Sequence, residues 1–353
     1  MAPIPVDALK TIETFKYTEK QLKNDPNEPG VYYPEAHKAA MLNVNHPGYK
    51  EPGVMNALCV RKTANWSKIV PVNKFDKPTF DAKKTAEMMP VASPKMQALF
   101  DNIAKLDEAD MKEHGHLFKH FIFTDVKEQG YGAKIIMAAF IALGFDMATD
   151  SKYVLKPAST ASKNKRVGLL CSTTVYGKPI GVKAKKALLN AYNERPGNVH
   201  GNLMRFIILD NGFKEGIDLF DVKYVHLFEP LVTAADQKQA IGRATRFCGQ
   251  KGIEFHPTLG WPLHVFKYDI GIPASLQNVL HLTKGKPVKP DDKKAETLFQ
   301  LYMDLGGFDM RLLQFASAIE ELTIIGAVDR PLTKTIHGFS IAMDGDNPGR
   351  SKS

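Results

Sequence analysis

A glutamine and two arginines stand at fixed spacing in the segment Gln239-Ala-Ile-Gly-Arg-Ala-Thr-Arg-Phe-Cys-Gly-Gln250. In an α-helix, Gln239, Arg243 and Arg246 fall at i, i+4 and i+7 and therefore share one face. Guanidinium groups are planar, permanently charged donors that suit phosphate oxygens, and Gly242 allows close approach of a ligand or a second backbone. The spacing predicts a phosphate-binding face. A solvated helix surface is the alternative, because charged residues usually face water.

The helix that would present this face is predicted to span residues 234–248. Thr233 and Asp236 have the spacing of a capping box, which favours a helix start at this point. The opposite face is apolar and can pack on a sheet; it carries Ile241, Ala244 and Cys248.

Patterns typical of strands and helices alternate through the middle of the chain. Apolar runs predict buried strands at 119–125, 166–172, 204–209, 224–228 and 263–268. Helical spacing is found at about 132–143, 183–192 and 234–248. This alternation predicts an α/β fold with a parallel sheet and helices on both faces. Ligands of such sheets bind at the carboxyl ends of the strands.

Two loops at predicted strand ends carry polar groups. In the loop Asp210–Asp218, the terminal carboxylate could accept hydrogen bonds from a ribose or pair with the arginines; an ordinary turn acid is an equal alternative. Thr124 and Asp125 end another strand, where a hydroxyl and backbone amides could meet a phosphate at a helix N-terminus.

Taken together, these stretches resemble motifs IV, V and VI of superfamily-two helicases, in order and spacing. The matching segments are Phe123-Thr-Asp125, Glu215-Gly-Ile-Asp218, Val225-His-Leu-Phe-Glu-Pro230 and Gln239-x-x-Gly242-Arg243-x-x-Arg246. The residues of motif V and the following Gly249-Gln250 look most like those of helicases and transcription ATPases of large cytoplasmic DNA viruses. The resemblance covers roughly residues 93–270 and implies a second RecA-like domain.

The resemblance also implies roles for individual residues. Arg246 would be the arginine finger that reaches the γ-phosphate of ATP, and Arg243 would support it as a second catalytic arginine. The nucleotide cleft would be organised by Gln239, Gly242, Gly216 and Asp218, and Thr124 would lie near the nucleic-acid backbone.

The sequence departs from a complete helicase in one respect. A first RecA-like domain holds ATP with a GxxxxGK[ST] loop and Mg²⁺ with an Asp-Glu pair, and neither is found in these 353 residues. Gly130–Lys134 and Tyr176–Pro179 contain glycine and lysine without the required spacing. We therefore expect ATP and Mg²⁺ to bind only through a partner protein that carries the first domain. The alternative is a catalytically inactive, helicase-derived nucleic-acid-binding or virion structural protein.

Charge favours a polyanionic partner. Lys plus Arg exceed Asp plus Glu by 47 − 38 = 9, so the surface field attracts nucleic acid, DNA or RNA. Phosphate contacts are predicted for Lys156, Lys163, Lys165, Arg166 and Lys183; solvated surface lysines are the alternative. His114, His116 and His120 lack a fourth ligand nearby, so no metal site is predicted.

The remaining segments suggest a location and a domain plan. Three cysteines far apart favour a reducing compartment, and the longest apolar run, 135–145, is too short to span a bilayer. We therefore expect a cytoplasmic or virion protein without a membrane partner. Eleven of the 22 prolines lie in residues 1–94, which predicts an irregular arm; 95–275 would form the RecA-like domain, and 276–353 a helical extension with a disordered tail.

Overall fold

The computed structural model describes residues 2–3, 74–92, 94–125, 132–157, 163–213, 216–229, 231, 234–245, 249–255, 261, 263–268 and 270–271. The predicted extension at 276–353 and most of the predicted arm lie outside these residues. Thr233, Arg246 and Cys248 also lie outside them.

The described residues form one parallel six-stranded sheet and a small parallel pair. The strands are β1 (Ala2–Pro3), β2 (Lys119–Thr124), β3 (Asp146–Met147), β4 (Arg166–Leu170), β5 (Phe206–Asp210), β6 (Val222–Leu227), β7 (His264–Lys267) and β8 (Ile270–Gly271). The large sheet has the order β3-β4-β5-β2-β6-β7, and β1 pairs with β8. The predicted α/β, RecA-like parallel sheet is confirmed, and the short edge strand β3 is an addition that the sequence analysis did not predict.

Five helices accompany the sheet in the described part of the chain: α1 (Ala82–Ala92), α2 (Pro94–His114), α3 (Ala133–Ala142), α4 (Val182–Tyr192) and α5 (Ala234–Ile241). Helix α1 falls inside the range expected to be irregular, so that expectation is wrong for its last part. Residues 94–114 form one helix because apolar side chains recur at helical spacing and bury Met96, Leu99 and Ile103. No helix among the described residues is long and apolar enough to cross a bilayer.

Helices cover both faces of the sheet, as predicted. On one face, Leu188 of α4 and Ala240 of α5 share a buried cluster with Phe121 and Val225. On the other face, Phe140 of α3 stacks between α2 and β5, with its ring 4.7 Å from Phe100 and 5.0 Å from Phe206. Because successive side chains of a strand point to opposite faces, strands covered on both sides read as continuous apolar runs, and β2, β4, β5 and β6 are buried along their whole length.

The first residue of β2 shows what this burial requires of a charged side chain. Lys119 is fully buried, donates a hydrogen bond from Nζ to the carbonyl of Tyr192 at 2.8 Å and lies 4.5 Å from the centre of the Tyr192 ring. Burial lowers the pKa of Lys119 to about 7, although Asp221 favours its charged form. The lysine thus ties the start of the central strand to the end of α4.

A chain of buried hydrogen bonds crosses the sheet beneath α2. Asn102 Nδ2 donates to Tyr268 Oη at 2.8 Å, Tyr268 Oη lies 2.8 Å from His226 Nδ1, and His226 Nε2 lies 2.9 Å from His120 Nδ1. Beyond it, His120 Nε2 faces Asp107 Oδ1 at 3.7 Å. If the Tyr268 hydroxyl donates to His226, each imidazole donates to the next group and the last proton faces the Asp107 carboxylate. The opposite direction would place a nitrogen lone pair against that carboxylate.

The two imidazoles of this chain are held neutral. Both rings are inaccessible to water, and burial lowers the pKa of each well below the ordinary value of 6.5. The positive charges of Arg205 and Lys223 lower the pKa of His120 further. Below about pH 6.5 the unfolded chain therefore binds more protons at these residues than the folded chain, and the free energy of unfolding falls as the pH falls.

We predict that His226→Gln, which keeps an amide for hydrogen bonding and removes one titrating ring, makes this pH dependence shallower. Between about pH 6.5 and pH 5 the slope should decrease by up to about 1.4 kcal/mol per pH unit, the effect of one proton. Urea unfolding at a series of pH values measures it. As a control, Tyr268→Phe should lower the free energy of unfolding at every pH without changing the slope. An unchanged slope in His226→Gln would contradict the prediction.

Candidate functional site

Within the described residues, the helix predicted over 234–248 is shorter than expected. Helix α5 ends at Ile241, and the next turn tightens: Gly242 N bonds to Lys238 O at 2.8 Å, whereas Ala244 N bonds to Ile241 O, three residues back, at 2.9 Å. A side chain at position 242 would place its Cβ 2.9 Å from Lys238 O. Gly242 therefore permits this tight end, which propensity alone does not reveal.

The early end of α5 changes the predicted phosphate-binding face. Gln239 is exposed, whereas the side chain of Arg243 is buried with 7% exposure, so the two do not share one solvent-facing surface. The prediction that Gln239 and Arg243 project together is wrong, because the helical spacing stops before Arg243. The packing of Ile241 and Ala244 against the core is confirmed.

Arg243 instead lies against the loop that leads into β6. Its carbonyl accepts a hydrogen bond from Leu219 N at 2.9 Å, and its Nη1 lies 3.5 Å from the carbonyl of Ile217. In this loop, Gly216 is exposed with φ +67°, and Asp218 is exposed while its carbonyl accepts from Asn193 Nδ2 at 2.8 Å. The structure thus brings Gly216 and Asp218 close to Arg243, on the side from which β6 enters the sheet. The loop begins at the carboxyl end of β5, as predicted, but its later residues lie at the opposite side of the sheet.

A partly buried ion pair, which the sequence does not predict, holds the next part of this region. Arg195 donates from Nε and Nη2 to the two carboxylate oxygens of Asp221, each at 2.7 Å. Asp221 also accepts from Gly252 N at 2.8 Å, and its own N–H donates to Gly249 O at 2.7 Å. The segment 249–252, which follows Arg246 in the chain, is thereby fixed to the residue before β6. Asp221 has φ +56°, a conformation that Asp tolerates better than most residues, but no local sequence signal pairs it with Arg195.

The resemblance implies that Thr124 lies near the nucleic-acid backbone, but in the structure its hydroxyl is used inside the protein. Its side chain is fully buried at the carboxyl end of β2, and Oγ1 donates to Glu229 Oε1 at 3.0 Å. The other oxygen of Glu229 accepts from Asp125 N at 3.0 Å. Burial raises the pKa of Glu229 to about 7, although Lys95 opposes the shift. Glu229 therefore joins the ends of β2 and β6, a role that its place in the Val225–Pro230 segment does not reveal.

The carboxylate at the end of β5 is also used within the protein. Asp210 Oδ2 accepts from Ser172 N at 2.6 Å and Ser172 Oγ at 2.8 Å, and Oδ1 accepts from Gly212 N at 2.9 Å. These bonds shape the turn that begins the Asp210–Asp218 loop.

Two of the predicted phosphate-binding cations are engaged inside the domain. Arg166 is the first residue of β4, is buried, and donates to the carbonyls of Leu203, Ala148 and Lys156 at 3.2, 3.1 and 2.6 Å. The phosphate contact predicted for Arg166 does not fit this position, because its guanidinium donates to three backbone carbonyls of the domain instead. Lys156 is half-buried and pairs with Asp146 at 2.6 Å.

The other predicted cations are exposed but do not form one patch. Lys163 and Lys165 precede the first residue of β4, whereas Lys183 stands in the first turn of α4, after the loop that follows the same strand. The length of β4, about 3.3 Å per residue, separates the two groups. A single phosphate site cannot contain both.

No family model matches this chain. Two candidate ATP-dependent RNA helicases of Acanthamoeba polyphaga mimivirus are similar in sequence: R350 is 25% identical over 150 residues, and R563 is 34% identical over 76 residues. These matches cover 42% and 22% of this chain but 16% and 13% of the relatives, so the chain corresponds to a small part of their length.

Two solved structures show a weaker likeness. The C-terminal part of the Fun30 ATPase domain has a TM-score of 0.41, with 87% of this chain and 96% of that chain covered. The Pyrococcus furiosus Hef helicase domain has a TM-score of 0.35, with 76% and 53% covered. Both are 13% identical to this chain. Because these TM-scores are low, the two structures do not support an assignment of this chain. The resemblance to helicases therefore rests on the topology of the sheet and on the sequence similarity.

The parallel order of the six strands, the segments matching motifs IV to VI and the similarity to the two mimivirus proteins point in the same direction. This chain has a RecA-like α/β fold, and part of it resembles the C-terminal domain of superfamily-two helicases.

Proposed function

We propose that this chain supplies an arginine finger and nucleic-acid contacts to an ATPase whose first RecA-like domain lies outside these 353 residues. The observation that carries the proposal is the contact of Arg243 with Ile217 and Leu219. This contact joins the segment resembling motif VI to the segment resembling motif V, and a composite nucleotide site needs both.

In this proposal the two arginines have different tasks. Arg243 is buried and holds the loop that contains Gly216 and Asp218. Arg246 is the finger and stabilises the charge that develops on the γ-phosphate during transfer. Gln239 and Asp218 are exposed and face the nucleotide. The first domain holds ATP and Mg²⁺, and a finger without that domain has nothing to act on.

We assign nucleic acid to the edge of the sheet at which the strands have their carboxyl ends. Lys183 is exposed there at the start of α4, with Lys185 and Lys186 in the same helix. A lysine at this position neutralises a backbone phosphate without reading a base. Lys163 and Lys165, at the other edge, form a separate basic surface.

The arginine finger can be tested by complementation. A protein with a GxxxxGK[ST] loop and an Asp-Glu pair should gain ATP turnover when this chain is added, and Arg246→Ala should reduce that turnover by about 10³-fold or more, because the transition-state charge loses its donor. Lys238→Ala, an exposed substitution on α5, is the control and should leave turnover unchanged.

Two results of the complementation experiment would contradict the proposal. One is Arg246-dependent hydrolysis by the pure chain alone. The other is turnover that ignores Arg246→Ala, or no turnover with any first domain, which would favour the inactive nucleic-acid-binding or virion protein instead.

Nucleic-acid binding can be mapped with two variants of equal charge. We expect Lys183→Ala to weaken binding of a single-stranded oligonucleotide and to reduce the slope of log Kd against log salt by about 0.7, the contribution of one phosphate contact. Lys165→Ala removes the same charge at the opposite edge and should leave the slope unchanged. Fluorescence anisotropy over a range of salt concentrations measures both. Equal effects of the two variants would show that binding is diffuse.

A further inference from the structure

Residues 74–80, which precede α1, lie against the loop that follows β4 and the start of α3. Asp76 Oδ2 accepts hydrogen bonds from Lys134 Nζ and from Tyr176 N, both at 3.3 Å. The Asp76 side chain is 4% exposed. Phe75 is buried beside it, with its ring edge-to-face with Tyr176 at 5.9 Å. One aromatic ring and one carboxylate thus hold this segment, the strap, in place.

The site beneath Asp76 carries positive charge. Helix α3 has ten residues, its N-cap Gly132 provides no side-chain hydrogen bond, and its first turn contains no acidic residue. The partial positive charge of a helix N-terminus favours an anion. Lys134 adds a full charge in the same turn and is positioned by a 2.8 Å bond to the carbonyl of Thr174. An anion is therefore favoured here, and Asp76 provides it from another part of the chain.

Asp76 fits this site incompletely. Both of its hydrogen bonds are long and end on the same oxygen. The other oxygen, Oδ1, is buried and has no hydrogen-bond partner among the residues that the structure describes. A phosphate group carries more acceptor oxygens and, at neutral pH, at least the same charge, so it can satisfy the same donors more fully.

We propose that Lys134 Nζ, Tyr176 N and the start of α3 form a phosphate-binding site, and that the strap closes this site with Asp76 in place of the phosphate. That this phosphate belongs to nucleic acid rests on the proposed function. Displacement of the strap opens the site.

The position of the phosphate-binding site agrees with nucleic acid as the source of the phosphate. Helix α3 follows β2, and Thr174 and Tyr176 follow β4, so the site lies at the carboxyl edge of the sheet. Lys183, which the proposed function assigns to a backbone phosphate, opens the helix after the same β4 loop. A strand of nucleic acid that contacts Lys183 competes with Asp76 for Lys134, and the strap is thus autoinhibitory.

Oligonucleotide binding tests the strap with the full chain. Asp76→Asn should tighten binding of a single-stranded oligonucleotide about threefold or more and steepen the slope of log Kd against log salt by about 0.7, because one phosphate contact is gained. Phe75→Ala should give the same gain without a change of charge. Adding Lys134→Gln to Asp76→Asn should abolish the gain.

Glu87→Gln is the matched control, since Glu87 is an exposed carboxylate on the neighbouring helix α1. It removes the same charge and should leave Kd unchanged. Provided that the wild-type chain binds the oligonucleotide, the strap proposal is overturned if Asp76→Asn and Glu87→Gln have equal effects, or if the gain survives Lys134→Gln. Thermal unfolding of each variant confirms that it is folded.

Hydrogen exchange tests the strap without nucleic acid. The amides of Lys77 and Phe80 bond within the strap, to Lys74 O at 3.0 Å and Lys77 O at 3.1 Å. Tripolyphosphate should speed their exchange in the wild-type chain, whereas sodium chloride of equal ionic strength should not. An unchanged rate would overturn the inference.

The two experiments separate the strap from the proposed function. If tripolyphosphate opens the strap and no oligonucleotide binds, the phosphate site stands and the nucleic-acid assignment fails. The exchange experiment can be repeated with ATP in place of tripolyphosphate. If the phosphate of a nucleotide is the ligand, ATP speeds the exchange of the strap amides and the oligonucleotide does not.

Discussion

The burial of β2 is the constraint on which the rest of the domain depends. This strand lies between β5 and β6 and is covered by helices on both faces, so none of its polar side chains can reach water. Each must find a partner inside, because a buried polar group without one is costly. Lys119 bonds to the end of α4, His120 to β6, and Thr124 to Glu229. The polar groups of one strand thereby determine how three other segments lie around it.

The sequence predicts the strands and helices of this domain better than the environment of its charged residues. Continuous apolar runs reveal β2, β5 and β6 because covered parallel strands need apolar side chains on both faces. The early end of α5 depends on the backbone approach that Gly242 permits, and helical spacing does not register it. Likewise, the sequence around Arg166 looks like a basic loop, yet the carbonyls that bind it belong to residues 10, 18 and 37 positions away.

The candidate site shows the same division. The segments resembling motifs V and VI are brought into contact, so their order in the chain did indicate proximity. The side-chain pairs that hold this region of the domain were not predicted. They are Arg195 with Asp221 and Thr124 with Glu229. Their partners are 26 and 105 residues apart, and such pairs are determined by strand order rather than by local pattern. Sequence spacing therefore indicates which loops carry the chemistry, and tertiary packing determines where their side chains point.

Helix α5 connects the two edges of the sheet. It starts after Glu229 at the carboxyl end of β6 and ends just before Arg243, beside the loop that enters the same strand. Eight helical residues span about 12 Å. The edge assigned to nucleic acid and the loop assigned to the nucleotide are thus joined by one short, stiff element.

The Asp221 carboxylate has a mechanical consequence. One side chain binds Arg195, beyond the end of α4, and Gly252, beyond the arginine segment, and a Cβ at position 252 would lie 2.8 Å from it. A force applied to either connection is therefore passed directly to the other. We therefore expect the two loops to move together rather than independently.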